Sequence, residues 1–336
     1  MKALYRVGPE LGQVEIRELD EPKLSNNNVL VEVKAAGICG SDVKQYKGLT
    51  NFRAPTVMGH EFSGQIVDVG EDVEGWHAGD RIISECFPYV CGGCYYCLTG
   101  EYVHCPNKKV VGAFTKYVAL PPSIIHKIPD TLPYDEAALV QPCADAFSAV
   151  TRNSHVLPGD TVVVLGPGPI GLFINQVARV NGANFVIQTG HKGVRLSIAE
   201  KIGADVTIAV EEEDTVNRVL ELTDGRGADI VYEASGASSA ALHAFDLVRR
   251  QGQITFMTAP SEPVPLLLGK IVSKELTVKG SLVSKWIDYE RCVKLISEGR
   301  IKVKPILTHK YQLTDWKKAF DSILDKKAGK VILHPV

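Results

Sequence analysis

The chain has no apolar run of the roughly 18 residues that a membrane-crossing helix needs. Its first residues, Met1 to Val7, carry no apolar core of the kind a secretory signal has. Asn-x-Ser/Thr sites are missing, which fits an intracellular, cytoplasmic protein. No charge of one sign dominates: 37 Lys and Arg stand against 39 Asp and Glu, for a net charge of −2, with no basic block. That balance argues against nucleic acid and a membrane as partners and points to small molecules. Repeats, low-complexity tracts and long linkers are absent, and a mean hydropathy of +0.02 excludes a disordered or fibrous chain.

What is present is enough chain for a large core and an unusual set of cysteines. At roughly 100–200 residues per domain, 336 residues suggest about two domains. About three quarters of the unfolded surface is expected to be buried, so no disulfide staples are needed. Of eight cysteines, four fall between residues 91 and 105, too clustered for a disulfide framework and well spaced for a metal.

The texture changes along the chain. Up to about residue 130 the pattern is strand-like, as in Val29–Val33 and Gln65–Val69, with Gly and Pro turns between, which predicts a β-rich, irregular domain. A helical segment over Asp135–Ser154 leads to the turn Leu157-Pro158-Gly159-Asp160. Regular alternation follows. Thr161–Leu165 reads as a buried strand, and Ile170, Phe173, Ile174, Val177 and Ala178 as one face of a helix that Gly182 ends. Further strands are predicted at Phe185–Gln188, Val206–Val210, Asp229–Tyr232, Gln253–Met257 and Leu276–Val278, with helices around 194–202, 213–223 and 238–249. Six apolar strands alternating with helices predict a doubly wound parallel sheet of the dinucleotide-binding kind. After about residue 284, helices near 288–298 and 315–325 and a strand Lys330–Leu333 are expected to return to the first domain. The expected division is 1–146 with 284–336, and 147–283.

Gly166-Pro167-Gly168-Pro169-Ile170-Gly171 is G-x-G-x-x-G between a predicted strand and helix. The first glycine permits a tight turn, the second lets backbone approach a pyrophosphate, and the third lets helix pack on strand; the helix N-terminus offers free N–H groups to the anion. An acid commonly ends the second strand of such folds to hold a ribose hydroxyl. Here Gln188-Thr189-Gly190-His191-Lys192 stands there, with no acid until Glu200. A missing carboxylate at Gly190 removes repulsion against a 2′-phosphate, and His191, Lys192 and Arg195 supply attraction, which favours NADP(H) over NAD(H). The alternative is that these three are solvated surface charges.

Cys91, Cys94, Cys97 and Cys105 put four soft ligands on one compact loop, as a closed structural zinc site requires. No position is left for substrate, so such a site serves folding. A DNA-binding zinc ribbon is disfavoured by sparse flanking charge, Lys108 and Lys109. Outside the cluster lie Cys39-Gly40-Ser41-Asp42 and Gly59-His60-Glu61. A thiolate, an imidazole and a carboxylate make a catalytic zinc set if the fold joins them, with one position open.

Gly59-His60-Glu61-Phe62-Ser63-Gly64, followed by Gly70 and Val73, resembles the zinc signature of the medium-chain alcohol and polyol dehydrogenases. Cys39-Gly-Ser-Asp, the cysteine lobe, the glycine-rich loop and Gly329-Lys330-Val331-Ile332 fall in that family's order, so the resemblance spans essentially the whole chain, nearest its sorbitol dehydrogenase-like branch. It implies a β-rich GroES-like catalytic domain plus a Rossmann domain, with two zinc ions per chain. Cys39, His60 and Glu61 resemble the catalytic ligands, and the four lobe cysteines the structural ones. Ser41 sits where the family has a hydroxyl that bonds the alcohol, Asp42 resembles the carboxylate that orients the ligand histidine, and Lys330 resembles a basic residue near the pyrophosphate. A homodimer or homotetramer is implied as well.

The chain departs from the family in three places. Gln141-Pro142 replaces the usual Glu-Pro, so Gln141 is expected to bond water or substrate, with Cys143 an alternative ligand. Lys44 replaces a common relay histidine, and the stretch after Cys105 is short. The expected reaction is hydride transfer between a secondary hydroxyl of a polyol or sugar and a nicotinamide cofactor. An aldose 1-dehydrogenase, favoured by Gln141, and an L-threonine-type dehydrogenase are the alternatives. Cys86, Cys292 and the histidines other than His60 and His191 read as ordinary, and Glu211–Asp214 as a helix start or solvated turn.

Overall fold

The structure is a computed structural model that describes residues 1–49, 55–260 and 262–336. The first half is strands with short helices between them. In chain order these are β1 Lys2–Arg6, β2 Val14–Glu18, β3 Val29–Gly37, α1 Gly40–Tyr46, β4 Thr56–Val57, β5 Glu61–Val69, β6 Arg81–Ser84, α2 Tyr95–Leu98, β7 Tyr117–Leu120 and β8 Ile125–Lys127. β3 alternates as its sequence predicts, with Val29, Val31 and Val33 buried. Around it forms a seven-stranded sheet in the order β15-β16-β3-β5-β6-β8, with β7 also on β3; β15 is Leu307–Gln312 and β16 is Lys330–His334. β16 runs antiparallel to β3, with Ile332 opposite Gly37, so the end of the chain joins the sheet built by its beginning.

Two helices, α3 Tyr134–Ala137 and α4 Val140–Thr151, stand where one helical segment was expected. The break has a cause at Pro142, which has no N–H to donate back to Ala138, so the turn through Ala138 and Leu139 cannot run on unbroken. The Rossmann part follows: β9 Thr161–Leu165, α5 Pro169–Val180, β10 Phe185–Gly190, α6 Val194–Ile202, β11 Val206–Ala209, α7 Thr215–Leu222, β12 Ala228–Glu233, α8 Ser238–Leu247, β13 Val248–Phe256, α9 Leu268–Lys274 and β14 Thr277–Gly280. Its six strands pair in parallel in the order β11-β10-β9-β12-β13-β14. This order reverses beside β9, the place where such sheets bind ligands at the carboxyl ends of the strands. β9 is buried throughout, as a central strand covered on both faces must be.

α10 Trp286–Ser297 and α11 Trp316–Leu324 complete the chain. Cys292 and Ile296 of α10 join α4 and α5 in one core, while Trp316 and Phe320 of α11 pack with Leu4, Val31 and Phe62 in another. Among the described residues no helix is long and apolar enough to cross a membrane.

Candidate active site

Strand register creates the first constellation. β3 and β5 are antiparallel with Gly37 opposite Glu61, so the residues just after β3 lie beside those just before β5. Cys39 therefore meets His60 and Glu61, and one donor atom from each falls within 4.8 Å of the others. Gly37 is required here, because a Cβ on it would stand 2.5 Å from Glu61 Oε2 and 2.9 Å from Lys330 Cε. Cys39 caps α1, and its N–H donates to Asp42 Oδ2 at 2.8 Å. This bond holds the buried Asp42 with Oδ1 3.7 Å from His60 Nδ1, which leaves Nε2 for a metal. Oδ1 itself is buried without a hydrogen bond. Burial opposes a charge on His60, but Asp42 first, then Cys39 and Glu61, outweigh it and lift the imidazole to about 10. A pocket this negative suits a divalent cation, and the mixed thiol, imidazole and carboxylate donors fit zinc. Ser41 and Lys44 stand on the same helix, Lys44 exposed.

Gln141 is buried at the start of α4, where its Nε2 donates to Asp145 Oδ2 at 2.9 Å and lies 3.5 Å from Cys86 Sγ. Ser284 donates to the other Asp145 oxygen at 2.8 Å. Burial pushes Asp145 up to about 6, against the lowering effect of Ser284, Gln141 and His60. Cys143 is not with the metal set: it is fully buried in the core beside Cys292. Two residues along a helix, about 200° of rotation, turn it to the opposite side from Gln141, and it is not among the donors grouped with Cys39, His60 and Glu61.

The four lobe cysteines gather on their own, with Sγ atoms of Cys94 and Cys97 3.6 Å apart and those of Cys105 and Cys91 3.5 Å apart. A tetrahedron with zinc–sulfur bonds of about 2.3 Å has edges of about 3.8 Å, so these spacings suit one ion and are far too long for disulfides. The N–H groups of the Gly93 and Cys94 turn, together with neighbouring thiols, hold Cys91 down to about 6, while burial and the same neighbouring thiols raise Cys97, so the four sulfurs titrate as one cluster.

The glycine-rich loop divides its work among its glycines. Gly166 has φ +101°, and a Cβ there would stand 2.7 Å from the Ser235 backbone. A Cβ on Gly171 would collide with the Gly166 carbonyl, whereas one on Gly168 would meet nothing within 4 Å. Gly168 thus leaves open space at the start of α5, whose Pro169 gives up no needed N–H, and Ile170 packs against the core. The buried Gln188 supports the loop from below, donating to Gly166 O at 3.0 Å. A nucleotide pyrophosphate fits such a cradle.

The other expected cofactor residues make protein contacts of their own. Gly190 ends β10 beneath Pro167, and any Cβ there would collide with the proline ring. His191 and Lys192 are paired, His191 Nδ1 with Glu211 at 3.4 Å and Lys192 Nζ with Glu212 at 2.5 Å, and the Lys192 N–H donates to Glu211 at 2.8 Å. The acidic run therefore faces the end of β10, while only Asp214 caps α7. Arg195 is partly buried and donates to Ala328 O at 2.7 Å, tying α6 to the turn before β16. Lys330 is 2% exposed, forms an ion pair with Glu61, and donates to Ile38 O at 2.8 Å, so from the first residue of β16 its side chain runs into the metal pocket and is engaged there.

Residues without a motif surround this centre. Glu85 is buried and pushed up to about 7 by burial, with Tyr102 donating to it at 2.9 Å. His126 stacks on Tyr289 and meets Glu290 at 2.6 Å. A cavity of about 610 Å³ opens at the carboxyl ends of β13 and β14, lined in part by His104, Arg152, Thr258, Ser281 and Lys285.

A four-thiol lobe, a thiol–imidazole–carboxylate set and a glycine-rich cradle on a six-stranded parallel sheet define a zinc-dependent nicotinamide dehydrogenase. The chain belongs to this family: residues 25–130 match the alcohol dehydrogenase GroES-like domain and residues 169–298 the zinc-binding dehydrogenase domain. It is 39% identical to a sorbitol dehydrogenase of Halalkalibacterium halodurans, over 100% of both chains. It is also 39% identical to a D-arabitol-phosphate dehydrogenase of Enterococcus avium, over 99% of this chain and 97% of that one. A solved structure from Sinorhizobium meliloti 1021, bound to NADP, superposes with a TM-score of 0.92 at 27% identity, covering 99% of each chain.

Proposed function

We propose that this dehydrogenase oxidises a secondary hydroxyl of a polyol or sugar, or reduces the matching carbonyl, with NADP(H) as cofactor and two zinc ions per chain. The observation that carries this reading is the joining of Cys39, His60 and Glu61 by the β3–β5 register. The sorbitol and arabitol-phosphate enzymes support the substrate class. Residues 1–146 with 284–336 would form the catalytic domain and 147–283 the cofactor domain.

Cys39, His60 and Glu61 would hold a zinc ion, which would supply Lewis-acid activation of a substrate hydroxyl, and a bound nicotinamide would supply the hydride acceptor. The protein's own groups do the rest. Asp42 holds the His60 ring in one orientation. Ser41 takes the hydroxyl proton and hands it to water. Gln141 bonds the substrate or a water, and Lys44, in place of a relay histidine, binds a substrate oxygen. Gly168 and the N-terminus of α5 seat the pyrophosphate. Cys91, Cys94, Cys97 and Cys105 hold the structural zinc and the shape of the lobe.

For the cofactor, the bare Gly190 favours NADP(H), whose 2′-phosphate would draw His191 and Lys192 away from Glu211 and Glu212. NAD(H) is the second reading, because Glu211 brings a carboxylate to the end of β10 from the neighbouring strand. A homodimer or homotetramer is proposed on family membership. The experiment is a panel of polyols, polyol phosphates, aldoses and L-threonine, each assayed with NAD and NADP. The proposal expects the highest kcat/KM for a polyol or its phosphate with NADP. An aldose or L-threonine at the top of the panel replaces the substrate class, and a clear NAD preference replaces the cofactor.

A further inference from the structure

α4 carries an acid that no motif marks. Asp145 lies one turn beyond Gln141, on the same face, four residues apart as hydrogen-bonded helix neighbours must be. Its carboxylate is fixed from both sides: Oδ1 accepts from Ser284, on the segment before α10, and Oδ2 from Gln141. The Gln141 amide has two N–H groups and one oxygen. Its nitrogen faces Asp145 and Cys86, both acceptors. Among the described residues no donor reaches its oxygen, which is also not among the sealed, unpartnered atoms of the interior. α4 packs against β5, the strand that Glu61 begins, and the charges of His60 and Glu61 reach Asp145, so this helix lies beside the metal pocket.

We infer that Asp145 is a positioning residue, which locks the Gln141 amide with its nitrogen turned inward and its carbonyl oxygen offered to the Cys39–His60–Glu61 pocket. A carboxylate accepts and does not donate, so it selects one of the two orientations of the amide. Without it the amide is free to turn, and an N–H would face the pocket where an acceptor is needed. Gln141 and Asp145 together then act as a neutral acceptor backed by one negative charge, set a helical turn away from the reacting atoms. This inference rests on the reading of the Cys39 set as a metal site.

The test is a swap of the two side chains. Asp145→Ala should lower kcat/KM by about 10–100-fold, as loss of a group that orients a metal pocket does. Gln141→Glu alone sets two carboxylates side by side and should also lose activity, with its pH profile displaced. The double variant Gln141→Glu, Asp145→Ala restores an acceptor that has no wrong orientation, and should recover to within about tenfold of the parent. Where Asp145→Ala does not fold, Asp145→Asn takes its place. The second readout is the visible spectrum of the cobalt-substituted protein, using the bands that Cys39→Ala removes. Asp145→Ala should shift those bands, and the double variant should bring a third spectrum with activity regained. A double variant no better than the singles, with cobalt bands unmoved by Asp145→Ala, overturns the role of Asp145 while leaving the metal site standing. A parent protein without any cobalt band that depends on Cys39 overturns the metal reading, and this inference with it.

Discussion

Asp229 accepts from three directions at the start of β12: from Arg226 at 2.7 Å, from Arg249 at 2.5 Å and from the Thr161 N–H at 2.8 Å. Burial alone would raise its pKa, but these three partners hold it well below the usual carboxylate range. A depressed folded-state pKa contributes stability that is fully present above the unfolded value of about 3.9 and is lost as pH falls through the folded one. Asp229→Asn should therefore cost about 1–3 kcal/mol at neutral pH, and the gap from the parent should shrink below about pH 4. Urea melts at several pH values measure it, and a gap that persists undiminished in acid contradicts the assignment. Other residues show where side-chain roles escape a linear reading. Lys330, Arg195 and Asp145 take partners far away in the chain: Lys330 pairs with Glu61, Arg195 donates to Ala328 O, 133 residues on, and Asp145 accepts from Ser284, 139 residues on. Their roles depend on which elements end up adjacent. Cys39, His60 and Glu61 carried a chemical signal in residue type, whereas Asp145 and Glu85 carried none.

The glycine-rich loop is where element and site are the same thing. Gly171 faces the Gly166 carbonyl at a distance that admits no Cβ, so Gly171→Ala must push α5 away from the end of β9. The expected cost is about 1–3 kcal/mol of stability, as for other overpacked sites, with cofactor affinity reduced at least tenfold because the helix N-terminus shifts. Thermal melts and cofactor fluorescence titration check both. A variant that binds cofactor normally shows that the close approach of helix and strand is dispensable. At this scale the sequence was most readable. Short apolar runs and helical patterns located all six Rossmann strands, most plainly β9, whose Thr161–Leu165 is buried throughout, although β13 and β14 carry polar residues. α9 was not visible, since Leu268 and Val272 are exposed and give the helix no buried stripe to betray it. The split between α3 and α4 was not visible either, because their apolar residues run on without a gap.

At the scale of the whole molecule, the chain's end returns to its beginning. β16 lies against β3 and α11 packs on the interior of the same sheet, so the metal pocket is bounded by residues 37–42, 60–61 and 330 at once. The glycine-rich cradle belongs to the other sheet, and Ser284, at the crossing between the two, reaches back to Asp145. Hydride transfer between cofactor and substrate draws on both sheets, and the proposed zinc ions would divide into one for chemistry and one for shape. The most direct measurement is zinc content together with NAD(P)-linked turnover and cofactor binding, in the parent and in Cys39→Ala. The account predicts two zinc ions and turnover in the parent, and one zinc, no turnover and unchanged cofactor binding in the variant. Turnover that survives in Cys39→Ala with one zinc would contradict it.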